Sequence, residues 1–414
     1  MKKFIFSLLM FISLLKGVFG QDYWQKTNGP GSEPISSLAI NSNGYLFAGT
    51  YGKGVFFSTD KGNTWQQTAL KNSWVNCLAI NSNGFIFAGT DAGGVYRSTD
   101  NGSTWTQINK NITWTWIYSF AFNPNGYIFT GTYKGGLYYS TDNGDNWISI
   151  NTNLSNADII SIIFNSSGDI FIGTDGHSIF RSNNNGLTWK NIGWSGAKTY
   201  SFIITPTNKI LAGTSDGVYY STNNGDLWER VFDLNLMSTV IRSLILNSEG
   251  KIFAAADGGD FWTSLSGVYS SVDDGNSWKL LKAGLSDIAV YTLAIDKQGF
   301  IYAGAKNGFV YRSSTPTNLV DKCKNKLELY YLSQNYPNPF NPKTTIEYSI
   351  PEKGNVKLII YDFLGREIAT LVNTEQDAGI YRLRFDASNL SSGIYFYKIE
   401  TMNYSEIKKM TLIK

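Results

Sequence analysis

Seven times between residues 37 and 314 the chain repeats one phrase of about forty residues, and six of the copies close on a variant of Ser-x-Asp-x-Gly-x-x-Trp. The first copy of this box runs Ser58-Thr59-Asp60-Lys61-Gly62-Asn63-Thr64-Trp65, and it recurs at Ser98–Trp105, Ser140–Trp147 and Ser271–Trp278. Two looser copies carry Asn184 and Asn223 in the Asp place and close on Trp189 and Trp228. A period of this length, carried by strand-like segments, restricts the fold to a radial or solenoid β array.

Each copy opens with a small residue and a short apolar run: Ser37-Leu38-Ala39-Ile40, Cys77-Leu78-Ala79-Ile80, Ser119-Phe120-Ala121-Phe122, and onward to Thr292-Leu293-Ala294-Ile295. Runs this short between turn residues read as buried strands. A turn such as Asn41-Ser42-Asn43-Gly44 leads to a second strand, Tyr45–Thr50, and a Gly-rich loop leads to a third, Val55-Phe56-Phe57. The box then turns the chain into a short outer strand, Trp65–Thr68. Four antiparallel strands per copy make one propeller blade. In the box, Asp60, Asp100, Asp142 and Asp273 are expected to accept hydrogen bonds from nearby backbone N–H groups, Gly to take a left-handed conformation, and Trp to pack between sheets. That is a structural role.

The seventh copy, Tyr291–Ser314, has three strands and no box, whereas Tyr23-Trp24-Gln25-Lys26-Thr27 matches an outer strand with no blade before it. The expected fold is therefore all-β: a seven-bladed β-propeller over residues 21–315, its last blade completed by the N-terminal strand so that no sheet edge stays open. The repeats resemble the Asp-box repeats of sialidases, sortilin-like receptors, photosystem II assembly factors and xyloglucanases. That resemblance implies fold and says little of activity, because in those families the boxes lie away from the ligand face.

Residues 1–20 have the form of a secretory signal peptide, with Lys2 and Lys3, an apolar stretch from Phe4 to Leu15, and Gly20 before Gln21. The stretch is too short to span a bilayer, so no transmembrane helix is expected in the mature chain. Residues 316–328 read as a linker. After it come Tyr336-Pro337-Asn338-Pro339-Phe340-Asn341-Pro342, strand-like segments at residues 344–350, 355–362, 380–385 and 394–399, and the ending Lys409-Met410-Thr411-Leu412-Ile413-Lys414. Residues 329–414 thus resemble the type A C-terminal sorting domain of type IX secretion systems, with Gly393, Lys409, Leu412 and Lys414 among the matching positions. The resemblance implies a small immunoglobulin-like β-sandwich, the type IX machinery as partner, and a protein that is extracellular or anchored at the cell surface. An ordinary immunoglobulin-like binding module is the alternative.

Charge excludes one class of partner. The chain has 35 Lys plus Arg against 32 Asp plus Glu, and loss of Lys2, Lys3 and Lys16 with the leader leaves 32 of each sign. A nucleic-acid binder needs a basic excess or stripe, and none is present. With His177 as the one histidine and no Cys or His cluster, neither a metal site nor a cofactor is expected. Cys77 fills the small-residue position of its repeat and Cys323 lies in the linker, so both read as unpaired thiols.

Chemistry is expected on the face opened by the loops joining the second to the third strand and one blade to the next. Those loops carry Trp74, Trp114, Trp116, Tyr133 and Trp262, aromatic faces able to stack on sugar rings or grip a peptide, or else to fill space between blades. They also carry Asp91, Asp175, Asp216 and Asp257. A glycosidase needs two carboxyl groups facing each other across the scissile bond, and these four are candidates; Asp before Gly is equally ordinary loop chemistry. The sialidase likeness departs at its arginines, because Arg97, Arg181 and Arg312 share one repeated position before the box. The leading expectation is a surface recognition or scaffold module binding a glycan or a surface protein, with a glycan-cleaving hydrolase as the alternative.

Overall fold

Asn-Gly turns fix how neighbouring strands return, since the side-chain oxygen of an Asn can satisfy the backbone N–H groups that a tight turn strands. Asn41 does this in the first repeat, accepting from the N–H of Asn43 at 3.0 Å and of Tyr45 at 2.9 Å. The strands on either side, Ile35–Ile40 and Leu46–Thr50, pair antiparallel, and Gly54–Ser58 and Gln66–Gln67 follow in order. The computed structural model describes residues 23–317 and 330–414 apart from residues 32, 152–153, 155–156, 195, 232, 234–235, 237–238, 259–262 and 286. The expected signal peptide, most of the linker, Cys323 and Trp262 lie outside the described residues.

The pattern recurs as seven four-stranded sheets, six of them built from consecutive strands. In the seventh, Val290–Ile295, Ile301–Ala305 and Phe309–Ser313 are joined by Trp24–Pro30, with Trp24 opposite Ser313. The N-terminal strand therefore runs three residues beyond the expected Thr27, with a register irregularity between Lys26 and Pro30.

The cores lie between consecutive sheets. Phe47, Val55 and Val75 pack with Ile86 and Ala88 between the first and second, and Ile35, Leu38, Leu46 and Ala48 pack with Tyr302 and Val310 of the last. Close approach between sheets depends on a glycine in the second strand. A Cβ on Gly49 would sit 2.7 Å from Val75 of the next sheet, and one on Gly304 would sit 2.5 Å from Ile35 of the first.

The boxes tie each turn to itself and to its neighbour. In the first, Asp60 Oδ1 accepts from Ser58 Oγ and from Thr64 N–H, both at 2.8 Å, while Gly62 N–H donates to Ser58 Oγ at 2.8 Å. Asp100, Asp142 and Asp273 repeat this, and Asn184 and Asn223 substitute their amide oxygens. The turn Asn of one sheet then reaches the box of the next, Asn41 to Asn101 at 3.1 Å and Asn81 to Asn143 at 3.0 Å. Arg97 and Arg181 do likewise, donating to the carbonyls of Asn143 and Asn224 and pairing with Asp145 and Asp226. These two arginines are thus inter-sheet ties, while the guanidinium of Arg312 lies 4.0 Å from the centre of the Phe300 ring.

Residues from Thr317 on form a separate compact unit. Tyr331–Leu332, Lys343–Ile350 and Gly379–Asp386 make one sheet, and Glu367–Gln376, Gly354–Asp362, Gly393–Glu400 and Ser405–Leu412 make the other in that order. Ile346 and Tyr348 of the first and Leu358, Ile360, Tyr397 and Met410 of the second share one core. The strand Glu367–Gln376 was not expected; it is an edge strand whose apolar residues stay largely exposed, with only Val372 buried. Among the described residues no helix is long and apolar enough to cross a membrane.

Candidate functional site

Every innermost strand carries one β-bulge at the same place. The register slips between Ile35 and Ser37, Val75 and Cys77, Ile117 and Ser119, Ile159 and Ser161, Thr199 and Ser201, Ile241 and Ser243, and Val290 and Thr292. The residue left unpaired at such a slip is re-aimed out of the sheet. Here those residues are Ser36, Asn76, Tyr118, Ile160, Tyr200, Arg242 and Tyr291, and all of them line a single cavity of about 330 Å³ together with Tyr51, Asp175 and Lys198. The channel mouth is thus built from one position per repeat.

The charges at this mouth are internally balanced. Arg242 donates through Nε and Nη2 to Asp257 Oδ2 at 3.0 and 2.9 Å, and its guanidinium lies 4.4 Å from the centre of the Tyr291 ring. Lys198 Nζ donates to Asp175 at 2.6 Å, which holds the ammonium pKa above its ordinary value. Burial, with the nearby Asp91 and Asp158 carboxylates, pushes the Tyr118 hydroxyl up to about 12, and burial raises Tyr51 too. These phenols stay protonated donors at neutral pH.

Around the mouth stands an aromatic rim. Trp74, Trp114 and Trp116 are 56%, 45% and 41% exposed, far above the closing tryptophans such as Trp147 at 1%. Trp74 lies 5.9 Å from the Tyr51 ring, and Tyr133 gathers Trp116 at 5.0 Å and Trp114 at 6.4 Å between ring centres. His177 is exposed on the same set of loops.

Three of the four candidate carboxylates are held in ion pairs. Asp257 is paired with Arg242, Asp175 with Lys198, and Asp216 with Arg230 at 2.6 Å. Asp91 alone of the four has no cationic partner among the described residues; it accepts from Asn76 Nδ2 at 2.6 Å. No cluster of three or more His, Cys, Asp or Glu that could hold a metal is found among the described residues. Cys77 is a free thiol whose burial raises its pKa.

Within the C-terminal unit, two sequence motifs far apart in the chain meet. Phe340 pairs with Leu412, its N–H donating to Thr411 O and its carbonyl accepting from Ile413 N–H, each at 3.0 Å. Asn338 Oδ1 takes the Thr411 N–H at 2.9 Å, and Gln334 donates to the Lys409 carbonyl at 2.7 Å. Lys414 Nζ reaches Ser388 O at 2.6 Å, while Gly393 sits opposite Leu412. The chain terminus is clamped by the segment that opens the unit.

The repeats and their channel define a β-propeller domain, and the clamped C-terminal unit defines a second, smaller β module. Residues 334–414 match the family described as a secretion system C-terminal sorting domain, and residues 110–240 match the DUF6242 beta propeller domain. The first match marks the protein for export through a type IX secretion route to the cell surface or extracellular space. No curated protein matches the chain. Among solved structures it is similar to PorZ, described as an essential bacterial surface component of the type-IX secretion system of Porphyromonas gingivalis, with a TM-score of 0.54 and 15% identity over 93% of this chain and 60% of that one. It is also similar to YCF48 from Cyanidioschyzon merolae, with a TM-score of 0.56 and 16% identity over 70% of this chain and 98% of that one. A third likeness is to the GH74 xyloglucanase from Xanthomonas campestris, at 0.59 and 14% over 80% of this chain and 60% of that one. The chain thus spans about 60% of the length of two of these three, and at such identities the likeness is one of fold.

Sequence reasoning missed the channel lining apart from its charged rim. The signal was available, because each bulge residue immediately precedes the small residue that opens a repeat.

Proposed function

We propose that the protein is an exported surface recognition module, a β-propeller of seven blades closed by Trp24–Pro30, carried outward by an immunoglobulin-like sorting domain. Closure is supported by the Trp24–Ser313 pairing, and by Leu38 N–H donating to Thr292 Oγ1 at 3.2 Å as Leu78 N–H donates to Ser37 Oγ at 2.9 Å. The observation that carries recognition is the rim of exposed Trp74, Trp114 and Trp116 beside a channel whose charges are already paired. Exposed tryptophans of this kind are anchors for sugar rings or peptide side chains. A glycan or a surface protein is the partner, with no cofactor and no nucleic acid.

The test is a glycan array and a surface-protein capture with the purified secreted chain, beside a reducing-sugar release assay. Binding without release, weakened when Trp74 and Trp116 are replaced by Ala, is the expected result. Release of reducing ends, lost in Asp175→Asn or Asp257→Asn, would replace this reading with that of a hydrolase.

A further inference from the structure

One corner of the rim is built in more detail than an aromatic patch requires. Trp74, Thr90 and Asp91, with Asn72, Ser73 and Gly93, line an open cavity of about 410 Å³ beside the channel. Asp91 N–H donates to the Trp74 carbonyl at 3.0 Å, which fixes the two strand ends against each other. Asn76 commits both of its N–H bonds, one to Asp91 Oδ1 at 2.6 Å and one to Ile117 O at 3.0 Å. Its amide oxygen and Asp91 Oδ2 therefore remain as acceptors with no hydrogen bond among the described residues. The hydroxyls of Tyr51 and Tyr118, on the channel side, are in the same condition.

The corner thus offers one flat indole face, two acceptors and two donors. A sugar hydroxyl both donates and accepts, so adjacent hydroxyls on a pyranose meet such a mixed set, while the ring's apolar face stacks on indole. Charge decides among ligand classes. The cavity lining holds no cation, and Arg242 and Lys198 are already committed to Asp257 and Asp175, so within the cavity an anion would meet the Asp91 carboxylate. A cation would face Lys53 and Lys71, exposed on loops held together by Gly54 N–H donating to Ser73 O at 2.9 Å.

We infer that this corner is a subsite for one unit of an uncharged glycan, with Trp74 stacking on the sugar, Asp91 and Asn76 accepting from its hydroxyls, and Tyr51 and Tyr118 donating to it. The inference rests on the recognition reading above and narrows its ligand to a neutral sugar. Asn76 and Tyr51 then act in binding, not only in holding the inner strands.

The experiment titrates the full secreted chain by calorimetry with cellohexaose, xylohexaose, mannohexaose and maltohexaose, beside hexagalacturonate and a hexalysine peptide. Saturable binding of at least one neutral hexaose is expected, changed less than about twofold by raising salt severalfold, because screening acts on charged ligands. Trp74→Ala should weaken it at least about tenfold. Asp91→Asn, which swaps an acceptor for a donor at constant shape, should do so about tenfold, with melting temperatures unchanged in both variants. Preference for hexagalacturonate or hexalysine overturns the inference, as does the absence of binding by every neutral hexaose. Neutral-sugar binding that survives Trp74→Ala and is lost in Trp116→Ala overturns this subsite while leaving the recognition face standing.

Discussion

Trp24 is the sharpest probe of how the repeats are held together. Its side chain is 1% exposed, packs with Val290, Leu293 and Ala303, and donates through Nε1 to Leu281 O at 3.0 Å. An aromatic side chain of this size buries roughly 200 Å², worth about 5 kcal/mol at about 25 cal/mol per Å². Measured Trp→Ala costs run about 3–5 kcal/mol, so Trp24→Ala should remove about 4 kcal/mol. For a domain of this size each kcal/mol moves the midpoint by about 2 °C, giving a fall of about 8 °C. The assay is thermal melting followed by tryptophan fluorescence, which reports the repeat unit alone because all 12 tryptophans lie at or before Trp278. Trp74→Ala, at an exposed position, should move the midpoint by no more than about 1 °C, since surface changes stay within about 0.5 kcal/mol. A shift below about 2 °C for Trp24→Ala would refute the reasoning, because the N-terminal strand would then contribute nothing to the sheet it completes.

Other outcomes follow from the same structure. Hydrogen bonds to Asp60, Asp100, Asp142 and Asp273 hold these carboxyls below their ordinary range despite some burial, Asp142 at about 2. Because the folded pKa values are depressed, the unfolded chain binds more protons below about pH 4, and stability should fall from there toward pH 2 in melts across that range. Asp142→Asn should flatten this dependence while folding normally, since Asn184 already fills the same role; an unchanged pH profile would count against the box assignment. Gly54→Ala should cost more than about 3 kcal/mol, as its φ is +77° and a Cβ would lie 1.9 Å from the Leu70 carbonyl oxygen, whereas Gly44→Ala, with φ +79° and open space, should cost about 1 kcal/mol. Leu412→Ala, at a side chain 1% exposed, should destabilise the C-terminal unit by about 2–5 kcal/mol and lower export, read as protein retained in cells against protein outside.

How much of this was legible depended on whether the physical signal was local. The inner and second strands and the box turns lie in short segments whose side chains bond to their own backbone, as Asp60 does with Thr64, so the sequence carried them directly. The outer strand at the amino end was legible by the gap it fills. Glu367–Gln376 was not, because an edge strand with one buried residue has no apolar alternation to read. The aromatic rim was visible as loop tryptophans, yet nothing local marks Tyr118, Tyr200, Arg242 and Tyr291 as neighbours; they meet only when repeats are stacked. The ion pairs of Asp175 and Asp257 likewise join residues 23 and 15 positions apart, so no local pattern shows them.

The bulge at each inner strand separates two kinds of change. A substitution at Ser36, Asn76, Tyr118, Ile160, Tyr200, Arg242 or Tyr291 alters a side chain that no ladder partner opposes, while the residues on either side keep their register. The chain itself displays the result, since these places hold a hydroxyl, an amide, phenols, an aliphatic group and a guanidinium on near-identical backbones. The fold therefore works as a printing frame with interchangeable type: the chemistry of the channel lining can be reset one character at a time, leaving the frame that holds the characters in place.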